Sequence, residues 1–337
     1  MAHEEQYADL VFEGGGVKGI GLAGAFAALS ERGFTPKGVA GTSAGAITAA
    51  LVAAGYTSAE LDEILLDLPF AEFKDKDWQD RLGAPGQAVS LLRDKGIYEG
   101  EYLRKWIGDL LAAKGITRFG QVVDEEAEDP SNRYRLRVIA SDVTHRRMLV
   151  LPDDADHLGL DPDELEIAYA VRMSMSIPIF FEPVIHKNPT DGEEHLIVDG
   201  GMLSNFPVWL FDCEGRDPNW PTFGLMLVEP DPKVPIGHRL EGEEHEVRRG
   251  SLIDYLKSLA STMMAAHDRL YLENATFART IPIPTLGVGT TEFDIVPDRV
   301  KALYDSGHTA ASEFLDKWDF KAYIEEYRRG KETPRRT

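Results

Sequence analysis

Apolar residues in the first part of the chain alternate between short continuous runs and helical repeats. Residues 8–13 form an apolar run that stops at Gly14-Gly15-Gly16-Val17-Lys18-Gly19. Residues 20–32 repeat apolar side chains at helical spacing, and the run Lys37-Gly38-Val39-Ala40 leads into the small-residue segment 44–54. Short runs bounded by glycine indicate strands, and the longer repeats indicate helices. Strand, glycine loop, helix, strand, turn and helix in this order predict an α/β fold with parallel strands.

The same patterns predict further elements up to the C-terminus. Strands are predicted at 134–142, 147–151, 196–198, 223–228 and 280–286, the last at a sheet edge because it contains two prolines. Helices are predicted after capping residues at Thr57 and Asp161, and at 99–114, 251–275 and 297–328. Residues 70–96 lack a clear period and are interpreted as a surface excursion, with a lid as the alternative, whereas 229–249 are interpreted as a mobile loop. Because no repeat or linker divides the chain, we expect a single domain over 1–337.

Composition and charge restrict the classes of protein that this chain can belong to. Hydrophobic residues make up 43% of the sequence, which is enough for a large core. The 36 basic and 57 acidic side chains give a net charge of −21, which argues against nucleic acid as a partner and against permanent attachment to an anionic membrane. Cys213 is the only cysteine, so no internal disulfide is expected. With neither a secretory signal nor a membrane-spanning run, a cytoplasmic protein is expected.

The segment Gly41-Thr42-Ser43-Ala44-Gly45 joins the second predicted strand to the helix after it. A Gly-x-Ser-x-Gly turn between a strand and a helix holds the serine in a strained conformation with its hydroxyl exposed. The following helix directs free N–H groups and a positive dipole end toward the same point. The pattern therefore predicts Ser43 as a nucleophile.

The glycine loop after the first strand admits two interpretations. Gly14, Gly16 and Gly19 match a dinucleotide-binding fingerprint, but that site needs an acidic residue at the end of the second strand, where this chain has Ala40-Gly41-Thr42. Alternatively, the three consecutive glycines Gly14, Gly15 and Gly16 leave main-chain N–H groups unshielded at the start of a helix, as an oxyanion hole requires. Two parallel neighbouring strands would bring this loop next to Ser43.

A base is needed to activate the serine. Four histidines follow residue 199, of which His238 and His245 fall in the predicted loop and His267 and His308 fall within predicted helices, so none has the context of a triad histidine. Asp199 follows an apolar strand and begins the turn Asp199-Gly200-Gly201, and it is the preferred base. A free Asp has a pKa of about 3.9, so burial or a tightened hydrogen bond has to raise its basicity.

Metal and cofactor motifs are not found in the sequence. It contains no EF-hand and no His-Glu-x-x-His pattern, and its nine histidines include no pair at helical ligand spacing with an acid between. No cofactor and no metal ion are therefore expected.

Taken together, the glycine loop, the serine turn and Asp199-Gly200-Gly201 resemble the patatin-like phospholipases, in order and spacing over residues 10–207. The segment 172–178, Arg172-Met173-Ser174-Met175-Ser176-Ile177-Pro178, resembles a further Ser-rich family motif, although the family more often has alanine before the first serine. The resemblance implies a three-layer α/β/α fold with a mostly parallel sheet and a dyad of Ser43 and Asp199. It also implies an oxyanion hole at Gly14, Gly15 and Gly16, and a basic residue at Lys18; Arg172 is a candidate for head-group contact.

The implied function is hydrolysis of lipid carboxylic esters, of the phospholipase A or lysophospholipase type. The implied partners are a lipid or phospholipid substrate and a membrane surface contacted transiently, with no nucleic acid, no partner protein and no particular oligomeric state. A general esterase or an acyltransferase with the same serine turn is the alternative, and a nucleotide-binding module that uses the glycine loop is a more distant one.

Overall fold

The computed structural model describes residues 6–66, 99–127, 132–178, 180–213, 215–229, 274–290, 292 and 294–329. Within them, eight strands form one sheet: β1 (Gln6–Phe12), β2 (Phe34–Thr42), β3 (Leu136–Asp142), β4 (Arg147–Leu151), β5 (Val184–Lys187), β6 (Glu194–Asp199), β7 (Thr222–Val228) and β8 (Thr280–Pro284). The α-helices of the same residues are α1 (Ile20–Glu31), α2 (Ala44–Ala53), α3 (Ser58–Leu66), α4 (Glu99–Ala113), α5 (Ile167–Ser174), α6 (Asn274–Ala278), α7 (Pro297–Leu315) and α8 (Phe320–Tyr323).

The sheet is mixed, with neighbours in the order β5-β6-β3-β2-β1-β7-β8 and with β4 as an additional partner of β3. Strands β3, β2, β1, β7 and β8 pair in parallel, whereas β4 and β6 run antiparallel to β3, and β5 antiparallel to β6. The predicted α/β class is therefore confirmed. The proline-containing strand β8 ends this order of neighbours, at the edge position that its two prolines predict.

Both faces of the sheet are buried. In β1, Leu10 and Phe12 point into the main core with α1, α2, α4, α5 and α7, while Val11 points to a second cluster on the other face. That second cluster includes Phe206, Val208 and Phe211, from the loop and short 3-10 turn that precede β7. Helices α1 and α7 pack closely, since a Cβ at Gly307 would lie 1.8 Å from the carbonyl oxygen of Gly21.

The structure confirms one predicted helix cap and shows that another was wrong. At Thr57, the backbone N–H donates to Glu60 Oε2 at 2.8 Å and the hydroxyl accepts from the Glu60 N–H at 3.3 Å, which is a capping box. Asp161 does not cap a helix, because α5 begins six residues later. The intervening backbone is bonded elsewhere: Phe119 N–H donates to the Leu165 carbonyl at 3.1 Å, and Ile167 N–H to the Thr117 carbonyl at 3.0 Å.

Several predicted segments lie outside the described residues. These are the possible lid at 70–96, all of the loop 229–249 except Glu229, and residues 251–273 of the predicted long helix. Among the helices that the structure does describe, none combines the length and the apolar character needed to cross a lipid bilayer.

Candidate active site

Ser43 and Asp199 are brought together by the way β3 pairs with its neighbours. Residues 136–139 of β3 pair with β2, and residues 140–142 pair with β6. Strand β4 pairs with residues 138–142, so it overlaps both of these ranges and must occupy the opposite edge of β3. Strands β2 and β6 therefore share one edge and meet end to end: Thr42 lies opposite Ile139, and Asp199 lies opposite Ala140.

The Ser43 turn has the strained geometry that its glycines predict. Ser43 has φ 54° and ψ −127°, a backbone conformation that residues other than glycine rarely adopt. A Cβ at Gly41 would lie 2.2 Å from the carbonyl oxygen of Gly45, and a Cβ at Gly45 would lie 2.2 Å from that of Phe12. Both glycines are therefore required for α2 to start so close to β1 and β2.

The Ser43 side chain is buried rather than exposed, which differs from the prediction. Its Oγ lies 3.7 Å from the sulfur of Met175, in the segment that follows α5. The Ser43 N–H donates to Ser174 Oγ at 2.8 Å, so the last residue of α5 also fixes the backbone of the turn. The hydroxyl is covered because the residues after α5 pack over it, a long-range contact that no local pattern reports.

Asp199 is completely buried, and this burial changes its chemistry. Desolvation raises the pKa of its carboxyl group from 3.8 to about 7, against the opposing effects of the Ser43 hydroxyl and of the Gly201 N–H, which donates to Oδ1 at 2.7 Å. Among the described residues, Oδ2 accepts no well-formed hydrogen bond. One carboxylate oxygen is thus held by the backbone, and the other remains available beside the serine.

The segment Ser174-Met175-Ser176 connects the two residues. Ser174 binds the Ser43 backbone, and the Ser176 carbonyl oxygen accepts from the Asp199 N–H at 2.9 Å. The sequence indicated this segment only as part of a Ser-rich motif and not as a contact to both Ser43 and Asp199. The two serines in 172–178 were the feature from which such a role could have been predicted.

The glycine loop lies against the serine turn. A Cβ built on Gly14 would come within 3.1 Å of Ser43 Cβ, so the two are in contact. The Gly14 N–H donates to the Asn205 carbonyl oxygen at 3.2 Å and is not available to a substrate. Within the described residues, the N–H groups of Gly15 and Gly16 donate no hydrogen bond. Of the three glycines expected to supply donors, Gly14 therefore has its N–H engaged, whereas Gly15 and Gly16 do not within the described residues.

Asn205 holds the glycine loop in place and was not identified from the sequence. Its Nδ2 donates to the Gly14 carbonyl oxygen at 2.9 Å, while its main-chain carbonyl oxygen accepts from the Gly14 N–H. Nearby, Thr42 Oγ1 donates to the Ser204 carbonyl oxygen at 3.1 Å. The turn after Asp199 is therefore bonded to the glycine loop and to the strand that precedes the serine.

Lys18 and Arg172, the two basic residues expected near the substrate, have different environments. Lys18 Nζ lies 3.3 Å from Glu229 Oε1 in a partly exposed ion pair. Arg172 is buried; its Nη1 donates to Ser176 Oγ at 2.6 Å and its Nη2 to the Glu182 carbonyl oxygen at 2.9 Å. Both Nη atoms are thus engaged within the protein, and head-group contact by Arg172 stays a prediction.

The described residues contain one group of three His, Cys, Asp or Glu side chains that could hold a metal ion, and it includes neither Ser43 nor Asp199. The group is Asp142, His145 and His195.

The mixed sheet and the strained Gly-x-Ser-x-Gly turn between β2 and α2 define the class of protein. It is an α/β protein with the strand–turn–helix that is typical of this motif. Within that class, the family model described as Patatin-like phospholipase matches residues 10–212. The chain belongs to the patatin-like phospholipase family, whose members are lipid hydrolases.

Two proteins illustrate what this chain is similar to in sequence. The uncharacterized protein YqhO of Bacillus subtilis (strain 168) is 40% identical over 314 residues, which cover 93% of this chain and 100% of YqhO. A protein of Invertebrate iridescent virus 6 named probable lipid hydrolase 463L is 26% identical over 204 residues, covering 60% of this chain and 62% of its own length.

Two solved structures share the fold. VipD from Legionella pneumophila aligns with a TM-score of 0.54 and 19% identity, covering 93% of this chain and 67% of the VipD chain. ExoU of Pseudomonas aeruginosa, solved in a heterodimeric complex with SpcU, aligns with a TM-score of 0.51 and 18% identity, covering 93% of this chain and 52% of the other. This chain thus spans about half the length of the ExoU chain, and at these identities the likeness concerns the fold alone.

Proposed function

We propose that this protein is a lipid acyl hydrolase of the phospholipase A or lysophospholipase type, with Ser43 as nucleophile and Asp199 as general base. The observation that carries the proposal is the meeting of β2 and β6 on one edge of β3, which sets a strained serine beside a buried carboxylate. Family membership and the name of the viral relative support lipid esters as the substrate class.

The reaction follows from these two side chains. Ser43 Oγ attacks the ester carbonyl carbon while Asp199 takes the hydroxyl proton, and a tetrahedral intermediate forms. The bond to the alcohol then breaks, and the proton passes from Asp199 to the departing oxygen of the alcohol or lysolipid. Water repeats the sequence on the acyl-enzyme, so that a free fatty acid leaves and Ser43 is restored.

An aspartate is ordinarily a weak base, and burial makes Asp199 a stronger one because it raises the pKa of its carboxyl group. With its pKa raised to about 7, Asp199 is still largely ionised above neutral pH but binds a proton far more readily than a solvated carboxylate. A general base is most effective when its pKa lies near the working pH. The available Oδ2 is the atom that would accept the Ser43 proton.

The negative charge of the intermediate needs donors fixed in advance. We assign this role to the N–H groups of Gly15 and Gly16, which lie at the start of a 3-10 turn and donate no other hydrogen bond within the described residues. Gly14 serves a different purpose: it allows the loop to touch Ser43, and Asn205 anchors it there.

Substrate access requires a change at Met175, because its sulfur now lies over the hydroxyl. Methionine suits this position, since its unbranched thioether side chain changes rotamer easily. Lys18 lies in the same glycine loop and would attract the phosphate of a phospholipid at a membrane surface, in exchange for its ion pair with Glu229.

The test combines lipid hydrolysis with active-site labelling. Fatty acid release is measured on a panel of phospholipid, lysophospholipid and neutral ester substrates, and a fluorophosphonate label is mapped to its residue. We expect labelling at Ser43 and loss of hydrolysis in Ser43→Ala and Asp199→Asn, with unchanged circular dichroism. Ser30→Ala is the matched control, because among the described residues that hydroxyl bonds only to the Phe26 carbonyl oxygen of α1.

Hydrolysis that persists in Asp199→Asn would contradict the dyad and favour a histidine base. Transfer of the acyl group to an added alcohol in excess over hydrolysis would instead identify an acyltransferase.

A further inference from the structure

Three side chains form a compact polar cluster where β3, β6 and the β3–β4 turn meet. Asp142 is the last residue of β3, His145 lies in the turn that leads to β4, and His195 is the second residue of β6. His145 Nδ1 and His195 Nδ1 each lie 2.8 Å from the same atom, Asp142 Oδ2. Asp142 and His195 are buried, while His145 is about one-third exposed.

We propose that Asp142, His145 and His195 bind a divalent transition-metal ion, for which Zn²⁺ is the probe. Imidazole nitrogen and carboxylate oxygen are the ligand types that zinc prefers besides thiolate, and a zinc site with three protein ligands holds a water molecule in the fourth position. One ligand atom from each of the three side chains lies within 4.8 Å of the other two.

The geometry needs only a small adjustment to accept the ion. Bonds of 2.0–2.2 Å in a tetrahedral zinc site place neighbouring ligand atoms roughly 3.3 Å apart. The two hydrogen bonds at 2.8 Å would therefore lengthen by about half an ångström as the ion replaces the two Nδ1 protons. The exposed turn that carries His145 can supply this movement.

The surroundings already orient the ligands. The His145 N–H donates to Asp142 Oδ1 at 3.2 Å, which turns Oδ2 toward both imidazole rings. On the far side of His145, Nε2 lies 3.2 Å from Glu193 Oε1. A carboxylate that accepts the second N–H of a ligating histidine is a recurrent feature of metal sites, because it fixes the ring and its tautomer.

His195 makes its polar contact within this cluster. Its Nε2 is buried and has no hydrogen-bond partner among the described residues, so its only polar contact there is through Nδ1 to Asp142. The nearby His186 is not a ligand candidate, because its Nδ1 lies 3.1 Å from the Tyr169 hydroxyl and its Nε2 donates to the Leu158 carbonyl oxygen at 2.8 Å. In the described part of the chain, the donor set is thus limited to three residues.

The position of the proposed metal site indicates which elements a bound ion would connect. A bound ion would join the β3–β4 turn to β6, the strand that ends at Asp199. It would act as a clamp on the strand that carries the proposed base, without touching the reacting atoms. Its binding is therefore measured separately from ester hydrolysis.

The experiment uses the full chain after treatment with a chelator and removal of the chelator. Titration with Zn²⁺ by calorimetry, and with Co²⁺ followed by its visible absorption, is expected to show one ion per chain at micromolar affinity and a rise in melting temperature. His145→Gln, which changes a partly exposed residue, should weaken binding at least tenfold and abolish the Co²⁺ spectrum. Glu193→Gln should weaken binding by about tenfold through the second N–H of His145.

His308→Gln is the matched control, since His308 also faces a carboxylate, Glu31 Oε2 at 3.0 Å, but has no second histidine in that contact. We expect this variant to bind Zn²⁺ as the unmodified chain does. The proposal is overturned if the chain binds no Zn²⁺ at millimolar concentration, or if His145→Gln leaves affinity and the Co²⁺ spectrum unchanged.

Discussion

Ser43 and Asp199 lie at the ends of two strands that approach each other along one edge of β3, with Thr42 opposite Ile139 and Asp199 opposite Ala140. The antiparallel direction of β6 is what makes this possible. If β6 ran parallel to β3, its first residue and not its last would lie at this level. The relationship between the two residues is thus a property of strand direction and register.

The first prediction concerns the pH dependence of hydrolysis. Asp199 acts as a base only when it is ionised, and its pKa is raised to about 7. We expect kcat/KM for an uncharged ester to be level above pH 7 and to fall about tenfold per pH unit below it. A profile that is flat down to pH 5 would contradict the assignment of the base.

Asp9→Asn is the control for this profile. Asp9 is also buried with its pKa raised to about 7, but it accepts hydrogen bonds from Gly38 and Trp220 and not from the serine turn. The variant should keep the acid limb of the profile unchanged.

The second prediction is that Asp199→Asn stabilises the protein at alkaline pH while it abolishes activity. A carboxyl group whose folded pKa lies above its unfolded pKa makes the protein less stable as pH rises from about 4 to 7, and the full cost remains above 7. For Asp199 this cost is on the order of 4 kcal/mol. Urea unfolding should show the variant to be more stable than the unmodified chain at pH 8, with a smaller difference at pH 5. A variant that is less stable at pH 8 would show that desolvation does not dominate.

The third prediction tests the contact between Ser174 and the serine turn. Ser174→Ala leaves the buried Ser43 N–H without its acceptor at 2.8 Å, which should cost about 1–3 kcal/mol of stability. Because this bond holds the N–H of the strained Ser43, we expect kcat to fall more than KM changes. Steady-state kinetics and urea unfolding measure the two effects, with Ser30→Ala as the control. Unchanged kcat would show that α2 and the glycines alone hold the turn.

The fourth prediction compares two glycines that both have positive φ. A Cβ at Gly16, φ +55°, would lie 2.1 Å from the backbone oxygen of Thr290, whereas a Cβ at Gly33, φ +84°, meets nothing within 4 Å. Gly33→Ala should cost only the backbone strain, about 1 kcal/mol, and leave turnover unchanged. Gly16→Ala must also move the loop, and we expect kcat to fall by about 10²–10³ through loss of an oxyanion donor. Equal turnover in the two variants would argue against the proposed oxyanion hole.

Local patterns were sufficient to predict the elements around the serine turn. Strand β1, helix α1, strand β2 and helix α2 all appear near their predicted positions, because apolar periodicity and glycine placement act within a few residues. The order of the three glycine-containing motifs also indicated the family to which the chain belongs. The predicted helix cap at Asp161 was wrong, because the backbone of 165–167 forms hydrogen bonds with residues 117–119. These residues are distant in the chain, so the local sequence does not report the contact.

The sequence by itself thus determined which residues stand at strand ends and which turns only glycine permits. The tertiary structure decided how buried they are and what they touch: the raised pKa of Asp199, the cover of Met175 over Ser43, the anchoring of Gly14 by Asn205, and the meeting of Asp142, His145 and His195. These properties depend on the register of β6 against β3 and on the packing of residues 174–176 across both strands. Such contacts join residues that are distant in the chain, and their geometry is fixed only when the sheet is assembled.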